Sequence, residues 1–284
     1  MALILYGAPL CGEICEQSAE RSRVLQARGV MPTLAVFRVG SDPAAGEYEQ
    51  SLCRRGESCG VAVRRTEIAE TESAEAVCAA FAALCADETV HGILLSLPLP
   101  VRHSGLTGRL CAMLPPEKDV DGVNPESLGR LWAGAPCFGA CTAEACVRLV
   151  KAYGMELRGK NAVVIGRSVV VGKPLAAMLL RENATVTVCH RSTADTAAIC
   201  RGAELIFCAA GSAGLVTAEY VREDSVVVDV GTNWDEVRQR LVGDADTEAV
   251  SKVAAAVSPV PGGVGVVTAA VLMEHVISAA ENQA

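Results

Sequence analysis

The 284-residue sequence predicts a two-domain α/β protein built mainly on parallel sheets. Three observations predict it. Short apolar runs alternate with Ala-rich helical stretches over the whole length. Half the residues (51%) are hydrophobic but only 4% are aromatic, a composition suited to strands buried on both faces under small-residue helices. The chain is also longer than one typical domain, and no low-complexity linker or internal repeat interrupts it.

The elements follow in order. Met1 to Leu10 is apolar but meets Gly7 and Pro9 early and carries no basic leader, so it reads as a first strand or the lead into a helix, not a signal peptide. A helix around Glu13 to Arg28 feeds the strand Thr33 to Val39, and the loop Gly40 to Ala45 opens a helix through Tyr48 towards Gly60. A strand near Val61 to Glu67, a helix Ser73 to Cys85 and an apolar run Gly92 to Leu97 come next. That run stops at Pro98, Leu99 and Pro100, where missing amide hydrogens force the chain out of the sheet at a strand's C-terminal end. Sites of α/β proteins lie at such ends. The second half begins near Cys141 with a helix to about Tyr153, then the strand Asn161 to Ile165, a loop and the helix Pro174 to Arg181. Strands Thr185 to Cys189, Leu205 to Cys208 and Ser225 to Val230 follow. Ser258 to Gly265 is too rich in Pro and Gly for helix or strand, and the helix Val267 to Ala280 closes the chain.

Composition excludes several classes. A formal charge of −8, with no Lys/Arg run interleaved with aromatics, makes nucleic acid a poor partner. The thirteen cysteines are odd in number, dispersed and without a CxxC pair, so they read as reduced and mostly buried thiols. Cys137, Cys141 and Cys146 fit no common zinc spacing and none of the four histidines lies near, so no metal is expected. No window approaches the length of a membrane span, and a cytoplasmic protein is expected.

The sharpest chemical signal is Asn161 to Pro174, a buried strand, a glycine-bearing turn and a helix with proline in its first turn. Gly166 permits a sharp turn and close backbone approach, and the helix start offers amides and a positive dipole end to an anion. Ser168 stands where a second glycine is usual, with Gly172 further on. The following strand ends in His190, Arg191, Ser192 and Thr193, with no carboxylate to bind a ribose 2′-hydroxyl. Arg167 and Arg191 offer guanidinium donors matched to a 2′-phosphate, so NADP is preferred over NAD. The plainer alternative is that both arginines are solvated surface residues.

Separated segments point to one family. Val39 to Pro43 with Tyr48, Leu94 to Pro100, Lys118-Asp119-Val120-Asp121-Gly122, Gly166 to Pro174, and Pro259 to Gly265 (PVPGGVG) resemble, in order and spacing, the signature blocks of the FolD-type methylenetetrahydrofolate dehydrogenase/cyclohydrolase family. The resemblance implies a catalytic folate-binding domain over residues 1–140, with the last helix (267–284) returning to it, and a Rossmann-like NADP-binding domain over 141–266. It also implies a homodimer with a folate cleft between the domains. Hydride would pass from 5,10-methylenetetrahydrofolate to NADP, and water would open the methenyl product to 10-formyltetrahydrofolate. On this resemblance Asp121 hydrogen-bonds the pterin and Tyr48 positions the folate, with Leu97 and Pro98 beside it. Pro261, Gly262 and Gly263 border folate and nicotinamide, and Thr232 joins Gly166, Arg167, Ser168, Gly172, Arg191 and Ser192 at the cofactor. The residue types suit these roles: a carboxylate accepts paired hydrogens from an aminopyrimidinone edge, and Gly-rich backbone admits a flat ring closely.

The departures fall on the chemistry. Family members carry a lysine four residues after the tyrosine, and here that position is Leu52; the glutamine expected before the LPLP stretch is Ser96. The proline-rich block after the aspartate turn reads Ala140-Cys141-Thr142-Ala143-Glu144-Ala145 and keeps only its Cys-Thr pair. Water attack on the methenyl carbon needs a group to orient water and manage its proton, work of roughly 3 to 5 kcal/mol in barrier. Leucine supplies none of it; Arg54 falls on another helical face, and Arg55 lies a turn further on and is too basic to exchange a proton. Hydride transfer depends chiefly on alignment and is less exposed to the loss. The sequence therefore points to a dehydrogenase with weak or lost cyclohydrolase activity. A fully bifunctional enzyme, a folate- and NADP-binding protein without turnover, and a site reshaped for another small substrate are the alternatives.

Overall fold

The computed structural model describes residues 1–236 and 239–284, the side chains of Pro43 and Ala44 excepted. In chain order its elements are β1 (Leu3–Ile4), α1 (Ala8–Ala27), β2 (Thr33–Val39), α2 (Pro43–Cys59), β3 (Ala62–Ile68), α3 (Ala74–Ala86), β4 (Gly92–Leu95), α4 (Thr107–Met113), α5 (Pro125–Ala133), α6 (Cys141–Ala152), β5 (Asn161–Ile165), α7 (Gly172–Arg181), β6 (Thr185–Cys189), α8 (Thr196–Arg201), β7 (Leu205–Cys208), β8 (Val226–Asp229), β9 (Asn233–Asp235), β10 (Arg240–Val242), α9 (Thr247–Ser251), β11 (Ala256–Val257) and α10 (Val264–Gln283). They form two compact units, one of Met1–Cys11 with Ala140–Thr268 and one of Gly12–Gly139 with Ala269–Ala284.

The first unit holds a six-stranded sheet in the order β1-β11-β8-β7-β5-β6, every pairing parallel. Its central strands β7 and β8 are buried at every residue, which is why they read as unbroken apolar runs. Val163, Ile165, Ile206, Val227 and Val257 belong to one core cluster on this sheet. Edge strand β6 is mostly solvated. An antiparallel hairpin, β9 with β10, follows β8.

The second unit is a parallel three-stranded sheet, β3-β2-β4. Alternation along central β2 sends Ala35, Phe37 and Val39 into a core with Val77, Phe81 and Leu110, where the Phe37 and Phe81 rings meet edge-on at 4.9 Å. Leu34, Val36 and Arg38 take the opposite face. Among the described side chains of α2, the buried residues Glu49, Leu52, Gly56 and Cys59 repeat at helical spacing. A Cβ at Gly56 would lie 2.7 Å from the Val61 carbonyl oxygen, so this helix rests directly on the chain entering β3. From Ala269 onward α10 joins the same unit: His275 Nδ1 is 2.9 Å from the Val120 carbonyl oxygen, and Arg21 bonds Glu281 with its Nε (3.0 Å) and NH2 (2.6 Å).

Residues 1–11 lie with the six-stranded sheet, because β1 pairs with β11. Several expectations are corrected. Helices α4 and α5 were not anticipated; they are 7 and 9 residues long, too short to declare a 3.6-residue period. The segment Ser258 to Gly265 is not wholly irregular, since α10 begins at Val264, three residues before the expected 267. That helix is also 20 residues long and apolar enough to cross a membrane, against the expectation that no window is; 67% of its apolar window is buried within the protein. Ten of the thirteen cysteines are buried and all are free thiols. Burial pushes the Cys85 thiol up to about 11 and that of Cys200 up to about 12, leaving both protonated at neutral pH.

Candidate active site

The expected site residues divide between the units. In the three-stranded unit, Tyr48, Leu52, Ser96, Leu97, Pro98 and Asp121 occur on α2 and on the loops after β4 and α4. Tyr48 is 44% exposed at the margin of the buried stripe of α2, and Leu52, one turn on, has no exposed surface at all (0%). Ser96 donates its amide to the Phe37 carbonyl at 2.9 Å, extending the β2–β4 ladder by one step. Pro98 is exposed and joined to Leu97 by a cis peptide bond.

The turn carrying Asp121 is held by its neighbours. Lys118 is buried and donates its Nζ to the carbonyls of Cys85 (2.9 Å) and Asp87 (2.8 Å). Asp119, fully buried, accepts the amides of Val123 (3.0 Å) and Asn124 (2.8 Å) and is the turn aspartate. Burial raises its carboxyl above the ordinary range, while those amides and the Ser127 hydroxyl pull the other way. Asn124 caps α5 through the Glu126 amide at 2.6 Å. Of the two aspartates, Asp121 alone keeps partial solvent exposure.

In the six-stranded unit, Gly166 follows β5 with φ +134°, and a Cβ there would collide with the Ala209 carbonyl oxygen. Its amide donates to Cys189 (2.8 Å). Helix α7 starts at Gly172, not Pro174, and in the turn before it the Ser168 hydroxyl accepts the amides of Val171 (3.1 Å) and Gly172 (3.3 Å). Serine thus takes two amides that the sequence left to an anion, and Ser168, itself exposed, closes the turn that leads into α7, whose N-cap is Val171. After β6, the Thr193 hydroxyl accepts the His190 amide (2.9 Å) and His190 Nδ1 accepts that of Ser192 (3.2 Å). This stapled turn presents Arg191 and Ser192 to solvent, and Arg167 is exposed on the Gly166 turn. The next carboxylate, Asp195, accepts the Ala198 amide at 3.0 Å as the cap of α8. An unobstructed glycine turn, two exposed guanidiniums and a committed carboxylate fit a dinucleotide bearing a 2′-phosphate.

Pro261, Gly262 and Gly263 link β11 to α10, and Thr232 is exposed after β8. Gly262 has φ +102°, and its carbonyl accepts the Gly7 amide at 2.9 Å, so the N-terminal segment braces this loop.

Sequence reasoning missed a pair of buried aspartates at the ends of these strands. Asp244 accepts the amides of Ala210 (2.6 Å), Gly211 (2.9 Å) and Ser212 (2.8 Å) and the Asn233 side-chain amide (2.9 Å). Asp229 accepts those of Gly231 (2.9 Å), Asp244 (3.0 Å) and Ala245 (2.8 Å). Together they fix the loops after β7 and β8. The available signal was Asp229 itself, a carboxylate closing an otherwise apolar strand. Burial pushes its carboxyl up to about 6, against the three amides, with the Asp244 charge adding to the rise. Because the folded state binds this proton more tightly than the unfolded chain, folding gains stability as pH falls through about 6. In urea melts the stability advantage over Asp229→Asn is expected to grow by roughly 1 kcal/mol between pH 7 and pH 5. Parallel pH profiles for the two proteins would contradict this.

These features define a two-domain α/β protein of the nicotinamide-nucleotide-dependent dehydrogenase class, with a Rossmann-like sheet in one unit. The model for the tetrahydrofolate dehydrogenase/cyclohydrolase catalytic domain matches residues 5–121, and that for the family's NAD(P)-binding domain matches 140–284. The chain belongs to the tetrahydrofolate dehydrogenase/cyclohydrolase (FolD) family. It is 45% identical over 277 residues, 98% of its length, to a bifunctional FolD protein of Nocardia farcinica, 97% of which is covered. Among solved structures, it superposes on the bifunctional FolD enzyme of Campylobacter jejuni with a TM-score of 0.95, 38% identity and 100% coverage of both chains. The Trypanosoma brucei enzyme, solved with NADP cofactor and an inhibitor, gives a TM-score of 0.92 at 32% identity, covering 99% of this chain and 98% of that one.

Proposed function

We propose that this chain oxidises 5,10-methylenetetrahydrofolate to the methenyl compound with NADP, and opens that product by hydrolysis slowly or not at all. The observation that carries the reading is Leu52, a fully buried hydrocarbon (0% exposed) one turn from Tyr48. No proton can be held or moved at its Cδ atoms, and the Ser96 hydroxyl is too short to replace an amide side chain at that place.

In this reading Asp121 accepts a pair of hydrogen bonds from the pterin, and Tyr48 lays its ring against the folate. Leu97 and Pro98 form an apolar wall that excludes water. Gly166 and Gly172 let the pyrophosphate approach the backbone, while Arg167, Arg191 and Ser192 hold the 2′-phosphate. Thr232 and the Pro261 to Gly263 loop border the nicotinamide. NADP bound there supplies the hydride acceptor. The assembly is a cytoplasmic homodimer, checked by sedimentation of the purified protein.

The test pairs two assays: NADPH appearance with methylenetetrahydrofolate, and decay of methenyltetrahydrofolate absorbance alone. Oxidation without hydrolysis beyond the uncatalysed rate is the expected result; hydrolysis as fast as oxidation would defeat the proposal. The bifunctional names of the relatives favour a second reading in which both steps survive through another group or an ordered water. The second assay decides between the two. Cofactor choice has its own check: Arg191→Ala is expected to raise KM for NADP about tenfold or more, the size of a lost charge-assisted hydrogen bond, with KM for NAD nearly unchanged. An equal rise for both nucleotides would remove Arg191 from the phosphate site.

A further inference from the structure

The face of the three-stranded sheet under α2 carries a charged network that no expected role uses. Arg38 lies on β2 with its side chain only 12% exposed. Its Nε donates to Glu49 Oε1 at 2.7 Å, NH1 to the Gly40 carbonyl at 2.8 Å and NH2 to Glu67 Oε2 at 2.6 Å. The side chain of Glu49 is 4% exposed, and that of Glu67 is 53% exposed.

Register places this network beside the residues assigned to folate. Glu67 pairs with Arg38 across β3 and β2, and Phe37 pairs with Leu95 across β2 and β4. One step on, at the C-terminal edge, Arg38 comes level with Ser96. Above that row, Glu49 adjoins Tyr48 in α2 and precedes Leu52 by one turn. The guanidinium therefore fastens four elements at once: β2, the Gly40 turn, β3 and the segment of α2 that bears Tyr48.

Removing two charges from water is costly, and a hydrocarbon pair of similar volume often stabilises a fold equally well. What such a pair supplies in addition is fixed geometry, since a planar fork accepts its partners in one orientation only. We propose that Arg38 and Glu49 are positioning residues for folate: they set the rotation of α2 on the sheet, and with it the placement of Tyr48. The inference rests on the assignment of this face to folate made above. Neither residue is assigned contact with the substrate.

The experiment compares the full-length protein with the double variant Arg38→Met/Glu49→Met, which removes both buried charges together; Glu67, whose side chain is 53% exposed, is left to solvent. Tetrahydrofolate and NADP affinities are measured by calorimetry, with thermal melting as the control for folding. The double variant is expected to fold, to bind NADP within twofold of the parent, and to bind tetrahydrofolate at least tenfold more weakly. In the dehydrogenase assay the loss appears mainly in KM for folate. A folded double variant with parental folate affinity would overturn the proposal. Should the double variant not fold, Arg38→Lys decides: it keeps the charge but gives up the fork, so weaker folate binding with unchanged NADP binding supports the role and unchanged folate binding ends it. A parent that binds tetrahydrofolate without oxidising methylenetetrahydrofolate, alongside a weakened double variant, would overturn the proposed reaction and leave the positioning role standing. A parent that binds no tetrahydrofolate overturns both.

Discussion

Leu52→Lys combined with Ser96→Gln is expected to raise hydrolysis of methenyltetrahydrofolate by roughly a hundredfold or more, the usual contribution of a placed proton-transfer group. Position 52 lies in the buried stripe of α2, one turn from Tyr48, so a lysine there would project from the same helical edge as the tyrosine. An ammonium buried without a partner would lose its proton or destabilise the fold, which is why the glutamine is introduced with it. The glutamine is offered as an acceptor for that ammonium, on a backbone fixed by the Ser96 ladder bond to Phe37. Leu52→Met, close in volume and apolar, serves as control and should leave hydrolysis where it was. The measurement is the first-order decay of methenyl absorbance at fixed enzyme, with oxidation of methylenetetrahydrofolate followed in parallel. If oxidation persists in the double variant but hydrolysis does not increase, the lack of an ammonium at position 52 is not what limits hydrolysis, and the proposed role of that position falls.

A second large effect is expected at Gly166. With φ at +134° the position suits only glycine, and an added Cβ would run into the Ala209 carbonyl oxygen, a backbone atom held by the neighbouring strand. Strain of this kind costs of order 1–3 kcal/mol before any overlap is counted. Gly166→Ala must therefore push apart the ends of β5 and β7 or open the turn. NADP binding should weaken by at least about a hundredfold, equivalent to roughly 2.8 kcal/mol, and the thermal midpoint should fall. Calorimetric titration of NADP against the folded variant checks it. An unchanged dissociation constant would take this turn out of the coenzyme site.

Much of this molecule is legible in its sequence where burial is uniform. The runs Thr33–Val39, Asn161–Ile165 and Leu205–Cys208 are strands with those limits, because parallel pairing buries most of their faces, and the more exposed Thr185–Cys189 also keeps its limits as an edge strand paired with β5. Elements whose existence depends on distant partners were not legible. Strand β1 has two residues and is a strand only because β11, some 250 residues away, lies beside it. Helices α4 and α5 are similarly short. In the site, the glycine turn after β5 and the arginine-bearing turn after β6 could be read from residue type and order. The closing of the turn before α7 by Ser168 could not, since a serine near a helix start serves a phosphate or its own backbone equally well. The partnership of Asp229 and Asp244 was hidden for a related reason: each is an ordinary aspartate until the fold surrounds it with amides from three loops. Arg38 reads as an interruption in an apolar strand, and only the register of β3 and the seat of α2 supply its two carboxylates.

The pairing of Leu3 and Ile4 with Ala256 and Val257 has a practical corollary for anyone dissecting the chain. A fragment cut to begin at residue 141 would retain every coenzyme-side motif yet leave β11 as a bare edge, with unsatisfied ladder groups inviting association with other copies. It would also forfeit the amide of Gly7 that steadies the carbonyl of Gly262. An autonomous coenzyme-binding module would have to be obtained by circular permutation, grafting the first eleven residues through a linker, and not by simple truncation.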